Sequence, residues 1–560
     1  MQSRQLEADV TIVGAGPVGL TLAMDLAGRG LKVAIAETRA FAEPPNVKCN
    51  HVSARTMEQF RRLGVAAKLR DAGLPPEHPN DVVFRTSVTG IELTRIPIPC
   101  RRDRYSESEG PDAWWPTPEP PHRINQIYLE PILLRHAAAL PGVTLLNRTQ
   151  VTGFEQDATG VRATAVDLDS GARVDIRSRF LVGCDGGSSG VRKQIGARLE
   201  GTAVIQRVQS TFIRAPGLLP LIPGKPAWSC YSVNPRRCGT TFAIDGRETW
   251  LVHNHLNADE PEFDSVDRDL SIREILGVGA DFEYEVISKE DWVGRRLVAD
   301  RFRQGRVFLA GDAAHLWVPY AGYGMNAGIA DALNLSWLLG ACLQGWADPA
   351  ILDAYEAERQ PITEQVSKFA MDHAQKMIRA RRAVPPDIEA PGPAGDALRA
   401  EVGREAYDLN VQQFCCAGLN FGYFYTGSPI IAEDDEAAPA YSMGTFTAST
   451  VPGCRAPHFW LPDEKGGKGG EGREGRSIYD EFGPGYSLLR FDPAANVSAL
   501  QQEARKHGMP LALIDVPAGV APPAYRHRLV LCRQDQHVVW RGDRLPADAA
   551  ALVAKLRGQG

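Results

Sequence analysis

Three stretches of this chain combine glycines with an acid at spacings that suit an anionic, hydroxyl-bearing ligand. The first is Gly14-Ala15-Gly16-Pro17-Val18-Gly19, in G-x-G-x-x-G spacing, with Glu37 placed 18 residues after Gly19. In such a unit Gly14 makes a tight turn, Gly16 lets the backbone approach a pyrophosphate and Gly19 packs helix on strand, while Glu37 accepts from a ribose hydroxyl. An acid there points to an unphosphorylated ribose, although Arg39, two residues on, weakens that preference for a ligand such as NADP. The second stretch is Gly305–Gly328, which contains Gly311-Asp312 and then Gly322 and Gly324. Its Asp can accept from a sugar or polyol hydroxyl, its glycines admit a ligand to the backbone, and the following helix start offers free N–H groups and positive dipole. Taken alone, the same stretch reads equally well as a plain strand-to-helix loop. The third is Asp185-Gly186 with a glycine/serine turn and Arg192. His51, in a loop before a helix, is a candidate for acid–base chemistry or an ordinary satisfied polar residue.

These residues need elements to hold them. Val10–Val13 reads as a buried strand, an apolar helix follows the glycines, and a second strand over Lys32–Ala36 ends at Glu37, completing a βαβ unit. Arg306–Ala310 is a further buried strand and leads to an apolar helix that starts near Met325 and runs to Leu339. Arg179–Gly190 gives another strand and turn. Ser53 is placed to cap an amphipathic helix over Arg55–Leu63, and Asn125-Gln126 precede a helix within Ile124–Leu140. Gly201–Asp291 alternates apolar and polar residues with aromatics and turn signals, the pattern of an antiparallel sheet that walls a pocket. Tyr231, Trp250, His253, Arg295 and Trp317 are candidates for that wall, and Trp114-Trp115 for either pocket or core. A long helix over Ala354–Ala380 and a linker at Pro385–Gly395 follow. From Met443 the chain changes to short β-rich runs around a low-complexity insert, Glu464–Gly475, with a hairpin expected over Tyr525–Trp540 turning at Gln534–Gln536.

Composition excludes several classes. Lys+Arg 62 against Asp+Glu 68 gives 62 − 68 = −6, spread without blocks, so no nucleic-acid or anionic-membrane partner is expected. No run of about 18 apolar residues occurs, so no membrane span is expected, and the N-terminus does not read as a secretory leader. The 10 cysteines form no CxxC and no His/Cys cluster at zinc spacing, which fits free thiols in the cytoplasm and no metal. Vicinal Cys415-Cys416 is a conceivable redox pair, with free thiols the commoner state. Without CxxC the C-terminal unit is expected to be redox-inert and structural, with a homodimer contact as one use for it.

Taken together, GAGPVG at 14–19, the acid at 37, RTME at 55–58, NQIYLEPIL at 125–133, GCDGGSSGVR at 183–192 and GRVFLAGDAAH at 305–315 resemble the FAD-dependent aromatic hydroxylases. These are the single-component flavoprotein monooxygenases of the para-hydroxybenzoate hydroxylase fold. The resemblance covers roughly residues 5–380, and the last 110 or so residues resemble the thioredoxin-like tail of the phenol-hydroxylase branch. It implies an α/β chain with a Rossmann-type, glutathione-reductase-like FAD domain (1–83, 116–197, 290–400) and an inserted antiparallel-sheet substrate domain (84–115, 198–289). A connecting segment (401–442) and a thioredoxin-like domain (443–560) complete it. It further implies that Gly14–Gly19 hold the FAD pyrophosphate, Glu37 with Thr38 and Arg39 the adenosine ribose, and Gln126 the ribityl-phosphate region. Gly311-Asp312 would bind ribityl hydroxyls, the Gly322, Gly324, Met325 and Asn326 backbone would face flavin N1 and C2=O, and the Pro319 carbonyl would lie near the reacting flavin edge. Asp185 and Arg192 match a motif linked to FAD and to transient NADH or NADPH binding. The implied activity is NAD(P)H- and O2-dependent hydroxylation of a phenolic or polycyclic aromatic through a flavin C4a-hydroperoxide. A flavin epoxidase or a natural-product or antibiotic-modifying oxygenase are alternatives on the same scaffold, and a non-oxygenating FAD-binding protein is another. One position departs from the pattern. Where the branch carries an Asp or His to deprotonate the phenol, five residues before Arg55, this chain has Asn50, and an amide is not a base. The role then falls to His51, to a sheet residue such as His253, Tyr231 or Arg295, or to a substrate that ionises unaided.

Overall fold

The structure is a computed structural model describing residues 4–48, 51–107, 109–113, 115–318, 322–462 and 476–559. Asn50, Trp114, Pro319 and the insert 464–475 lie outside the described residues.

The Val- and Ile-rich runs build a buried sheet in the order Arg303–Gln304, Val307–Leu309, Phe180–Gly183, Val10–Val13, Val33–Ala36, Val143–Leu146. All but the first short strand pair in parallel. Such a sheet needs cover on both faces, which is why its strands are apolar throughout rather than alternating. The register places Val13 beside Gly183, Gly183 beside Leu309 and Ala36 beside Val13. The three glycine–acid turns therefore leave the sheet as neighbours along its carboxyl edge, where open α/β sheets take ligands.

Helix Pro17–Gly28 opens on Gly16 with a proline in its first turn, which suits a position whose N–H would otherwise be unpaired. Helix Ala54–Arg62 is capped by Ser53, as expected, and helix Gln126–Ala138 by Asn125. Helix Tyr323–Leu343 starts two residues before Met325, because Gly322 adopts φ +61°, a left-handed conformation that ends the preceding loop. Its one charged residue is Asp331 and it is buried nearly all round, as an apolar helix must be.

The substrate-domain sheet runs in the order His315–Trp317, Trp292–Ala299, Leu199–Arg214, Thr249–His255, Gly239–Ala243, Ser229–Ser232, Val82–Arg85, Glu92–Ile96. Glu285–Lys289 adds to Leu199–Arg214. The sheet thus crosses the expected boundary at 290: Trp292–Ala299 pairs along Leu199–Val208, and His315–Trp317 pairs in turn with Arg296–Val298. The strand after the Gly311-Asp312 turn is shared between the two domains. Helix Pro393–Phe414 likewise crosses 400, and its last residue packs edge-on against Trp228 and Tyr231 of the sheet. Among the described residues no helix is long and apolar enough to cross a membrane.

The C-terminal sheet has the order Leu511–Asp515, Tyr486–Arg490, Leu529–Arg533, Val538–Gly542, the first pair parallel and the others antiparallel. The expected hairpin is its last pair, with Gln536 at φ +72° in the turn. This unit is bolted to the rest through buried charge. Arg533 is bidentate to Glu358 at 2.8 and 3.0 Å and also grips Asp535 at 2.6 Å. Arg455 reaches Glu58, and Arg55 the Asp535 carbonyl. Tyr486 packs edge-on against Trp337 of the helix Tyr323–Leu343.

Candidate active site

At the first turn the three glycines are fixed by different constraints. A Cβ on Gly14, at φ +102°, would lie 2.4 Å from the Cys184 carbonyl oxygen, and one on Gly19 would lie 2.1 Å from the Gly14 oxygen. A Cβ on Gly16 would meet nothing within 4 Å. Gly14 and Gly19 are thus required by the protein's own packing, and Gly16 leaves room for an outside group. No side chain caps the helix that follows, so its first N–H groups are available to a phosphate.

Glu37 leaves the next strand and turns back to this loop. Its carboxylate accepts from Ala15 N–H at 2.8 Å and Arg39 N–H at 2.9 Å, with the Thr38 hydroxyl at 3.3 Å. Burial acts to raise the Glu37 carboxyl, but bonds and charge from Arg39 and the Ala15 N–H outweigh it and hold it below the ordinary range. The Arg39 guanidinium also bridges to Glu130 at 2.6 Å, and Gln126 Nε2 donates to the same carboxylate at 2.9 Å. Glu130, which joins Arg39 to Gln126, is a member of this cluster that sequence reasoning missed. Its only signal was an acid four positions after Gln126 on a helix, beside a buried face.

At the second turn Gly311 has φ +62°, and a Cβ there would press on Val18 Cγ2 at 3.0 Å. A Cβ on Gly328 would lie 2.8 Å from Gly311 Cα, so the helix Tyr323–Leu343 rides directly on this turn. Asp331 of that helix pins the arrangement. Its Oδ2 accepts from Gly311 N–H at 3.2 Å and from His315 Nε2 at 2.7 Å, and its Oδ1 from Arg359 Nε at 2.8 Å. Burial would raise the Asp331 carboxyl, yet His315 and Arg359 hold it below the ordinary range. Sequence reasoning missed Asp331 as well, since one acid in an apolar helix gives no hint of its partners. Asp312 differs: its side chain is accessible, and among the described residues nothing hydrogen-bonds its carboxylate. It is nevertheless ringed by enough protein that burial pushes its carboxyl up, against the lowering effect of His315 and Lys48. Accessible surface within dense surroundings is the mark of a concave recess, and a carboxylate there seeks hydroxyl donors.

At the third turn the side chains are engaged by the protein itself. Asp185 accepts from the N–H groups of Gly190 at 2.7 Å and Val191 at 3.1 Å and from the Ser189 hydroxyl at 2.5 Å. Arg192 donates to the Ala313 carbonyl at 3.0 Å and the Gly187 carbonyl at 2.8 Å. It straps the third turn to the second, so the Asp185 and Arg192 side chains are both engaged within the protein.

Toward the substrate domain, Asn326 locks the helix start to the loop before Ala54. Its Oδ1 accepts from Ser53 N–H at 2.8 Å, and its Nδ2 donates to the carbonyls of His51 at 3.1 Å and Gly322 at 2.7 Å. The side chain of Asn326 is thereby spent, and the first helical turn, Tyr323–Met325, has no side-chain cap and carries the positive end of the dipole. His51 is buried, and its Nδ1 stands 2.7 Å from Arg123 Nη1. Burial and the Arg123 charge hold its pKa well below the usual histidine value. Trp317 stacks on His315 at 4.8 Å and abuts Gly324, whose Cβ would lie 3.3 Å from its Nε1.

On the sheet, alternation separates the candidates. Tyr231 stacks on Phe84 at 4.8 Å, and His253 stands between Phe242 at 5.3 Å and Trp292 at 5.8 Å. Burial lowers the His253 pKa to about 4. Trp250 is three residues before His253 and faces the opposite way. That face lies under helix Arg268–Leu276: a Cβ on Gly239, which pairs with Asn254, would meet Ile275 at 2.4 Å. The structure thus takes Trp250 out of the pocket group and into a core. Arg295 leaves it too, because it is exposed on the strand face opposite Trp292 and Arg296. Asn50 and Pro319 fall outside the described residues.

These features fit FAD: space for phosphates at Gly16, a recessed Asp312 carboxylate with no partner among the described residues, and a helix start without a side-chain cap whose Gly324 abuts Trp317 of the substrate sheet. Comparison with known proteins agrees. Residues 7–370 match the family model described as an FAD binding domain. Aklavinone 12-hydroxylase RdmE of Streptomyces purpurascens is 31% identical over 98% of this chain and 97% of its own length. Phenol 2-monooxygenase of Pseudomonas sp. (strain EST1001) is 28% identical over 100% of this chain and 93% of its own. The solved structure of the rebeccamycin biosynthetic enzyme RebC with reduced flavin superposes with TM-score 0.88 and 34% identity, covering 99% of this chain and 100% of that one. On the site and these likenesses, the chain belongs to the FAD-binding-domain family and is an FAD-dependent monooxygenase of the aromatic-hydroxylase type.

Proposed function

We propose that this enzyme uses NADH or NADPH and O2 to hydroxylate a phenolic or polycyclic aromatic at the meeting of the parallel sheet and the substrate sheet. The observation that carries the reading is the register Val13–Gly183–Leu309, which brings all three glycine–acid turns to one edge. Bound FAD would supply the redox chemistry, passing electrons from the nicotinamide to oxygen and so furnishing an electrophilic oxygen atom. The protein's residues bind, orient and polarise. The first turn receives phosphates on uncapped N–H groups, Glu37 with Arg39 shapes the ribose end, and Asp312 accepts from the sugar-alcohol chain. The start of helix Tyr323–Leu343 places positive potential where a reduced isoalloxazine ring carries negative charge. Tyr231, His253 and their aromatic neighbours close an apolar wall that keeps water from the reacting atoms. Arg123 holds His51 as an acceptor at Nδ1, so a neutral His51 ring carries its proton on Nε2. With its lowered pKa, His51 is poorly suited to remove a phenol proton, and the same holds for His253. The names of the two relatives, one a phenol monooxygenase and the other an aklavinone hydroxylase, support an aromatic substrate in either a degradative or a natural-product setting. For the C-terminal unit, the strand order with its parallel first pair supports a thioredoxin-like fold. Its Cys532 and Cys454 thiols are both raised by burial, the latter to about 11, which supports a structural use. A panel of phenols and larger aromatics tests the reading, scored by substrate-stimulated NADH and NADPH consumption. Stimulation by at least one hydroxyaromatic, with conversion of that compound, is expected. Flavin-loaded protein that leaves every aromatic unchanged would overturn it.

A further inference from the structure

Arg123 lies just before helix Gln126–Ala138, on a segment whose His122 bridges to Val52. That bridge lays it beside His51, and Nη1 donates to His51 Nδ1 at 2.7 Å. The guanidinium carbon sits 4.6 Å from the Trp228 ring centroid and 5.8 Å from that of Phe414. The residue is 6% exposed, and its second terminal nitrogen, Nη2, is buried with no hydrogen-bond acceptor among the described residues. A buried charged donor without an acceptor is unfavourable, and native proteins seldom keep one without a use for it. The nearby carboxylate does not serve it. Asp112 is taken by Arg104 Nη1 at 2.5 Å and Trp115 Nε1 at 3.0 Å. Asp112 therefore moderates the charge on Arg123 without satisfying Nη2. Burial pushes the guanidinium down from its ordinary value, yet an arginine stays protonated in a protein. The result is a fixed cation between two aromatic rings, with one N–H donor in reserve, next to a histidine that is poorly suited to act as a base.

We propose that Arg123 receives the oxyanion of an aromatic substrate, phenolate or ring carboxylate, through Nη2, with the substrate ring beside Trp228 and Phe414. The site then selects acidic aromatics, and a phenol is held as its anion by this cation after losing its proton to water, with no side-chain base required. The proposal rests on the aromatic-hydroxylase reading and names the chemistry of its substrate. Charge-assisted hydrogen bonds of this kind are worth about ten- to a hundredfold in affinity.

The test is equilibrium binding to full-length, flavin-loaded protein, read by quenching of tryptophan fluorescence and by the colour of ionised para-nitrophenol. The probe pairs are para-nitrophenol with para-nitroanisole, and benzoate with benzamide. Wild type is expected to prefer at least one anion over its neutral partner by about tenfold or more; which pair shows it distinguishes phenolate from carboxylate. Arg123→Gln should abolish the preference with flavin retained, and Arg123→Lys should keep part of it. The lysine variant carries the comparison if the glutamine variant loses flavin. Equal binding of anion and neutral partner by wild type, binding of neither, or full preference in both variants would overturn the proposal. Failure of the hydroxylase reading shows separately, as absence of oxygenated product while the binding preference persists.

Discussion

Two aspartates nineteen positions apart divide the work at the second turn. Asp312 accepts nothing from the described protein and is pushed up by burial, whereas Asp331 is saturated by Gly311, His315 and Arg359. Their removal should therefore read out differently. If Asp312 has the proposed role, Asp312→Ala removes a ligand contact and nothing internal among the described residues, so the purified protein should lose most of its FAD while its thermal midpoint without flavin stays within about 1 °C, as for a surface change. Asp331→Asn leaves Arg359 without its charge partner in a site that is 0–2% exposed. It should lower stability by about 3–5 kcal/mol in urea titration, with flavin lost only as a consequence. Equal flavin content in Asp312→Ala and wild type would remove Asp312 from the site. The histidines belong to the same scale. His51 looked in the sequence like the nearest substitute for a missing base, and nothing local showed otherwise. The group that disqualifies it, Arg123, lies 72 residues away and becomes its neighbour only through the Val52–His122 bridge.

At the scale of elements, the sheet edge was legible because short apolar strands ending in glycine and acid are local signals. Val10–Val13 falls where the residue pattern put it, and Ser53 caps its helix as expected. Sheet facing was not legible. Alternation identifies a strand but leaves open which of its two faces meets the pocket, which is why Trp250 and Arg295 were grouped with Tyr231 and His253. Domain edges failed for a related reason: a strand's partner is chosen by the whole sheet, and His315–Trp317 pairs with a strand that the chain had already left. The glycines give a test at this scale. Gly14→Ala collides with the Cys184 backbone and should destabilise the fold itself, lowering soluble yield and thermal midpoint. Gly16→Ala meets open space in the protein and should leave the flavin-free fold near its wild-type midpoint while weakening FAD binding. If both variants keep FAD equally well, the first turn is not the phosphate site.

For the whole molecule, the C-terminal unit is tied to the rest of the chain through buried charge. Glu358 accepts from Arg533, Asn334 and Ser428 in a fully buried cluster that joins two domains. Arg533→Met strips the charge partner from Glu358 and Asp535 and should cost about 3–5 kcal/mol, measured by urea unfolding of the full chain. A second whole-molecule trait is acid sensitivity. Burial lowers His253 and His373 to about 4, and His122 and His537 to about 3. A depressed histidine favours the fold fully above its unfolded value of about 6.5, where neither state binds the proton. As pH falls below that value the unfolded chain binds protons that the folded one refuses. Stability should therefore decline from about pH 6.5 down to about 4, by up to about 1.4 kcal/mol per pH unit for each such histidine. A thermal midpoint constant across that window would contradict the buried neutral state.

The proposed chemistry is the insertion of one oxygen atom into an aromatic ring beside the three joined turns. The direct measurement is turnover under isotopically labelled O2 with FAD-loaded enzyme, NAD(P)H and the hydroxyaromatic that most stimulates its oxidation. One labelled oxygen atom per product molecule is the expected result. Product labelled from water, or NAD(P)H consumed with hydrogen peroxide as the sole oxygen product across the panel, would contradict it.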